Sequence, residues 1–289
     1  VRLDSIFTSN IVDVPVTLDI AENSRSLIVL DDYNHNYIGS LDWDEIQSEN
    51  MSVVSCDDYQ RKAAFIDYLD KPIELITPYR HKPTQNEVDT LAWNTSFLHR
   101  DKLDANTYEL GYYSPNCLES DTLYKYLNYD IKDVYYNNDK LYLVDPDVEL
   151  DAIVILDHDL DNDSFTPYDT LHFDSKPITV KTTENYMLVG FDDDEGCSLK
   201  LLDTSSQNNS NFNIAPGYTI QDIQIFENHI ALSAGYGGVL IYEWDGSSSI
   251  SDDDLIFMLG GIYAYKTFIY NNIIIVGTKD GLQIYEMER

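Results

Sequence analysis

Basic residues are scarce. Lysine and arginine together number 18 against 51 aspartates and glutamates, a formal net charge of −33. That imbalance excludes DNA and RNA as partners, because affinity for a phosphate backbone comes from cationic side chains that release counterions. It argues equally against anionic membrane surfaces. No apolar run approaches the roughly 18 residues needed to span a bilayer, so membrane insertion is not expected. Cysteine is limited to Cys56, Cys117 and Cys197, isolated and odd in number. There is no Cys-x-x-Cys pair and no Cys/His zinc spacing, and at least one thiol must be free. Cys197 follows Asp192, Asp193, Asp194 and Glu195, whose negative field is expected to keep that thiol protonated and unreactive.

Catalytic signatures are missing too. The chain has no Gly-x-Ser-x-Gly elbow, no His-Glu-x-x-His helix and no phosphate-binding loop, and its six histidines are scattered. No Pro- or Ser-rich linker divides it, so residues 1–289 are expected to form one domain. Residues 1–10 carry neither a basic n-region nor an apolar h-region, which places any targeting signal outside this stretch.

What the chain does have is repetition. Residues 219–243 read as three short apolar runs, 220–226, 230–234 and 239–244, divided by turns at Glu227-Asn228 and at 235–238. The runs are too short for helices and rich in β-branched and aromatic residues, which predicts strands. A three-strand meander alone would be marginal in water and needs neighbours. Shifted by 43 residues, Asn228, Ile230, Gly238, Ile241, Tyr242 and Glu243 fall on Asn271, Ile273, Gly281, Ile284, Tyr285 and Glu286. Earlier copies end their third run at Asp157 and Asp203. Second runs starting at Leu27, Ala63, Phe97, Leu141, Met187, Ile230 and Ile273 make seven copies, and the chain holds 6.7 periods of 43.

A strand-built period of about 40–50 residues is the signature of a β-propeller. The expectation is an all-β, seven-bladed propeller. The last copy stops just after its third run, so residues 1–10, with the run 3–7, are expected to supply the outer strand of the last blade and close the ring. The segments 27–31, 153–157 and 199–203 resemble the core of the LVIVD repeat of bacterial and archaeal surface proteins. That resemblance implies a propeller, an extracytoplasmic location (secreted, periplasmic or cell-surface) and no defined catalytic residues. The Gly-His/Trp-Asp pairing of WD40 repeats and the recurrent double glycine of kelch repeats are both absent.

Asp157, Asp159, Asp161 and Asp163 place carboxylates at every second position as a strand runs into a loop, the opening pattern of a calcium loop. Asn162 stands where an EF-hand needs glycine and Tyr168 where it needs a bidentate glutamate, so an EF-hand is excluded. A looser calcium site and a solvated acidic loop both fit the pattern. The acidic stretches 145–151 and 192–195 occupy equivalent loops of successive copies, and Asp31-Asp32 and 67–70 join them by the same logic, which predicts one strongly anionic face. Tyrosines in strands (Tyr142, Tyr242, Tyr285) are expected to pack between blades with the hydroxyl on a partner. Loop tyrosines, among them Tyr33, Tyr112 and Tyr236, could present a stacking surface for a protein or carbohydrate ligand. Together these features point to a binding or scaffolding module. The competing expectation is a calcium-dependent propeller hydrolase or lyase with its metal near the axis.

Overall fold

The repeats form strands because each is a short run of aliphatic, β-branched and aromatic residues closed by a tight turn. The turn at Asn138-Asp139 shows the local chemistry: both residues have positive φ, 51° and 56°, the conformation a two-residue reversal between twisted strands demands. A computed structural model describes the strands throughout. From residue 132 onward it also describes side chains and connections, apart from 145–150, 160–163, 193–194, 202–211, 247–248, 271–272, residue 289 and a few side chains.

The described strands pair into six four-stranded antiparallel sheets. β1 (Arg2–Ser9) precedes the first of them. That sheet is β2 (Pro15–Ala21), β3 (Ser26–Asp31), β4 (His35–Ser40) and β5 (Ser52–Ser55). The second is β6 (Ala64–Ile66), β7 (Glu74–Tyr79), β8 (Tyr108–Tyr113) and β9 (Glu119–Tyr126). The third is β10 (Asp133–Asn137), β11 (Lys140–Val144), β12 (Ala152–Asp159) and β13 (Ser164–His172). The fourth is β14 (Pro177–Thr182), β15 (Tyr186–Phe191), β16 (Cys197–Leu201) and β17 (Phe212–Ile214). The fifth is β18 (Asp222–Phe226), β19 (His229–Ser233), β20 (Val239–Glu243) and β21 (Leu255–Leu259). The sixth is β22 (Ala264–Tyr270), β23 (Ile273–Thr278) and β24 (Gly281–Glu288), with β1 as its fourth strand.

The first strands of the sheets touch in succession: β2 to β6, then β10, β14, β18, β22, and back to β2. The sheets therefore close a ring. The seam is the expected one: β1 lies antiparallel to β24 with Arg2 opposite Glu288 and Ser9 opposite Leu282. The first residues of the chain thus complete its last sheet and lock the two ends together.

The number of sheets corrects the sequence count of seven: the described residues form six. β7 pairs directly with β8, Leu75 opposite Tyr113, so the runs at 73–76 and 108–113 belong to one sheet rather than to two. The run beginning at Ala63 proves to be a first strand and not a second. The proposed copy at Phe97-Leu98 lies outside the described residues. A long stretch between two paired strands had absorbed one period of the count.

Burial explains why second strands carry unbroken apolar runs. Leu141, Tyr142, Leu143 and Val144 are all buried, as are Ile230 to Ser233, because neighbouring sheets cover both faces. The outermost β21 alternates half-buried and exposed positions instead. Core clusters bridge adjacent sheets: Tyr142 and Val144 pack with Val180 and Val189, Leu188 with Ile223 and Leu232, and Ala231 with Ile274 and Val276. Each such aliphatic side chain contributes about 1.5–3 kcal/mol on burial, so sheet-to-sheet seams, as much as strand pairing, hold the ring.

Candidate functional site

In a four-stranded meander the turn between second and third strands and the connection from fourth strand to the next sheet emerge at one end. First strands begin at that end. Their opening residues therefore form a layer around the axis. Asp133, Thr179, Asp222 and Lys266 occupy the same position in four sheets, opposite Val144, Gly190, Ser233 and Gly277 of their second strands. In β14 and β22 a bulge falls one step earlier, between Pro177 and Thr179 and between Ala264 and Lys266. A bulge redirects the following side chain, and here it aims Thr179 and Lys266 into the layer.

The four residues converge. Lys266 Nζ donates to Asp222 Oδ1 at 2.9 Å and lies 3.8 Å from Asp133 Oδ1. Thr179 Oγ1 donates to Asp133 Oδ2 at 2.7 Å, and the Val134 amide to Asp133 Oδ1 at 3.0 Å. The Thr267 amide reaches Asp222 Oδ2 at 3.3 Å, and the Thr267 hydroxyl bonds that of Ser233 at 2.7 Å. All three charged residues are more than nine-tenths buried. Burying a charge is tolerable only with a counter-charge and hydrogen bonds, and this layer supplies both. None of these residues stood out in the sequence. Their only common signal is positional: a polar residue near the start of the first strand, seven residues before the second strand begins at Lys140, Tyr186, His229 and Ile273.

The same end of the ring carries a cavity of 680 Å³ between the fifth sheet and its neighbours, lined by Tyr218, Tyr236, Tyr263, Met258, Gln221 and Asp192 among others. Tyr236, one of the loop tyrosines flagged in the sequence, is 85% exposed and stands at the tip of the β19–β20 turn. That turn is held by three backbone bonds, Gly237 N to Ala234 O at 2.8 Å, Ala234 N to Gly238 O at 2.8 Å and Gly238 N to Gly235 O at 3.0 Å. Tyr236 meets Tyr263 edge to face, ring centres 4.6 Å apart, and Tyr263 meets Tyr265 at 4.6 Å. Burial first, then the neighbouring Tyr265, Tyr236 and Asp192, push the Tyr263 hydroxyl above its ordinary range, so it stays a neutral donor and acceptor. A smaller cavity of 260 Å³ opens one sheet back, beside Phe173, Glu195 and the buried Ser198, whose hydroxyl has no hydrogen-bond partner there.

Of the four aspartates marked for calcium, Asp157 and Asp159 lie on β12, and Asp161 and Asp163 lie outside the described residues. Asp157 forms an ion pair with Lys140, whose ammonium also sits 3.5 Å above the Tyr168 ring. The strands that flank 145–151, 192–195 and the segment after Asp31 are β11 and β12, β15 and β16, and β3 and β4, second and third strands of their sheets. Residues 145–150, 193–194 and 32–34 themselves lie outside the described residues. The stretch 67–70 also lies outside the described residues, and the strands on either side of it, β6 and β7, are a first and a second strand and not a second and a third.

Strand tyrosines pack as expected. Tyr242 is buried against the β14–β17 sheet and its hydroxyl donates to Asp252 Oδ1 at 3.2 Å, while the Tyr285 hydroxyl reaches Gln283 Oε1. His158 is buried, stacks on Phe165 at 4.4 Å and bonds the Tyr136 hydroxyl through Nδ1 at 2.8 Å, a packing role. Cys197 is inert for a different reason than its acidic neighbours: burial pushes its thiol up to about 12.

This architecture is a β-propeller. Solved β-propeller structures match nearly the whole chain. The structure of U3-55K superposes with a TM-score of 0.56 at 9% identity over 99% of this chain and 98% of that one. The computationally designed Ika8 protein matches with a TM-score of 0.50 at 12% identity over 98% of each chain. Neither a family model nor a curated protein matches the sequence. At such identities the likeness carries the fold alone.

Proposed function

We propose that this propeller is an extracytoplasmic binding or scaffolding module related to LVIVD-repeat proteins, and that it takes its ligand at the tyrosine-walled cavity. One observation carries the reading. An almost fully exposed tyrosine, Tyr236, is fixed at the lip of a 680 Å³ concavity by a well-bonded turn. An aromatic anchor beside a preformed cavity is the usual anatomy of a binding site. Thermal melts of wild type and Tyr236→Ala against a panel of glycans and peptides test it. A ligand that raises the melting temperature of the wild type and not of the variant supports the site; equal shifts in both would place binding elsewhere.

Calcium belongs to the same reading. A bound cation would draw on Asp157, Asp159, Asp161 and Asp163, and Asp157 would give up its ion pair with Lys140 to join it. Melts with calcium and with EDTA test this part. A saturable shift of several degrees that Asp161→Asn abolishes supports a bound ion, and superimposed melts leave a solvated acidic loop. A hydrolase or lyase with calcium near the axis is the weaker reading. The positive charge that Asp133 and Asp222 require in the described layer already comes from Lys266.

A further inference from the structure

We infer that the tyrosine-walled cavity takes an organic cation, an alkylammonium or quaternary ammonium group, rather than a neutral ligand. The inference rests on the proposed binding role of this cavity and specifies its chemistry. Aromatic faces attract cations through their quadrupole, most strongly where water is partly excluded. Tyr218, Tyr236 and Tyr263 wall the cavity, with Tyr265 behind Tyr263. Tyr218 packs close against the turn: a Cβ on Gly237 would stand 2.5 Å from its ring, so glycine is what lets the ring lie there. Met258, 46% exposed, adds a polarizable wall suited to N-methyl groups.

Charge points the same way. Asp192 is the charged residue among the described lining, and no lysine or arginine lines the cavity there. Elsewhere the chain covers tyrosine faces with its own cations: Lys140 lies 3.5 Å over Tyr168 and Lys181 4.3 Å over Tyr135. At the cavity that place is left to a ligand. The net charge of −33 raises the local concentration of cations around the whole molecule and steers them in. The cavity also lies at the end of the ring that carries the acidic connections between second and third strands, Asp192 and Glu195 among them.

Titrations with choline, with its neutral carbon isostere 3,3-dimethylbutan-1-ol and with Nα-acetyl-lysine amide, which keeps its side-chain ammonium, followed by NMR of the tyrosine rings at moderate salt, test the inference. Choline is expected to bind saturably and the isostere at least about tenfold more weakly, with Tyr263→Phe retaining binding and Tyr263→Leu losing it. Nα-acetyl-lysine amide binding more tightly than choline would identify the source as a lysine side chain; the reverse order would identify free quaternary amines. Equal binding of choline and the isostere would overturn the cation and leave the cavity as a binding site. So would a glycan that binds in a Tyr236-dependent way while choline does not. Silence of the cavity toward every probe would overturn both readings. If Tyr263→Leu fails to fold, Tyr236→Leu, at an exposed position, carries the same comparison.

Discussion

Lys266 lies 3.8 Å from Asp133, although their strands, β22 and β10, stand opposite each other in the ring of first strands. The lysine also holds Asp222 of the adjacent sheet at 2.9 Å. One side chain therefore ties three sheets across the axis. Such a buried charge cluster adds little over well-packed apolar groups, but breaking it is expensive because the remaining charges stay buried without a partner. Lys266→Met is expected to destabilise the protein by about 3–5 kcal/mol in urea titrations. Adding Asp222→Asn should recover part of that loss, so the double variant is more stable than the sum of the singles implies. Strictly additive losses would show that the three residues do not act as a unit.

Asp252 ties two connections together. Its Oδ1 accepts from the Tyr242 hydroxyl at 3.2 Å and from the Ala215 amide at 2.8 Å, at a residue whose φ is 55°. Losing the hydroxyl in Tyr242→Phe removes one bond and should destabilise by about 1 kcal/mol. Asp252→Ala leaves both donors short of an acceptor, one of them the amide of a backbone in the left-handed region, and should destabilise by about 2–3 kcal/mol. Equal effects would mean that Ala215 does not depend on the carboxylate.

Two glycines with nearly the same backbone make a controlled pair. Gly238 has φ 76° and Gly246 φ 79°, so alanine at either pays the left-handed strain of about 1–2 kcal/mol. At Gly246 an added Cβ meets nothing within 4 Å, whereas at Gly238 it would stand 1.8 Å from the Leu259 carbonyl oxygen. Gly238→Ala should therefore destabilise by roughly 2 kcal/mol more than Gly246→Ala, because β20 and β21 must separate. Similar melting temperatures for the two variants would contradict the close approach.

How far the sequence carried the fold follows from these particulars. Recurrent turns and apolar runs announced strands, and the unpaired third run at the C-terminus announced the role of β1, because hairpin chemistry is local and periodic. The number of sheets was not legible: whether 73–76 and 108–113 belong to one sheet depends on pairing across a long stretch, and loop length is weakly constrained by energy. Tyr236 was visible as a tyrosine in a glycine turn. Its partners Tyr218, Tyr263 and Met258 come from two different connections and the outer strand β21, and only the packing of neighbouring sheets brings them together. The axial layer was hidden because a polar residue near the start of a strand of mixed polarity reads like any strand edge. Asp157 stood out as part of a pattern, yet its contact is Lys140 across the hairpin, 17 positions away.

Alkaline stability offers the last test. Burial raises the Cys197 thiol from its ordinary 9.0 to about 12, and burial likewise raises the hydroxyls of Tyr242, Tyr142 and Tyr285 above their ordinary 10.0. In the unfolded chain each group would lose its proton first, so rising pH favours unfolding. The thiol's contribution is complete below about pH 9, is lost progressively as pH rises, and is gone by about pH 12. Near pH 9 the tyrosines, whose ordinary value is 10.0, are still about nine-tenths protonated in the unfolded chain. The slope due to Cys197, about 0.7 kcal/mol per pH unit there, is therefore the largest single contribution. Cys197→Ala, less stable overall because it leaves a void, should flatten that slope. Peptide mapping after mild alkylation at pH 8 provides the second readout: Cys197 should remain unmodified in the native protein and react once urea unfolds it. Rapid native alkylation, or a slope unchanged in the alanine variant, would mean that the thiol is not sealed between Leu188 and its neighbours.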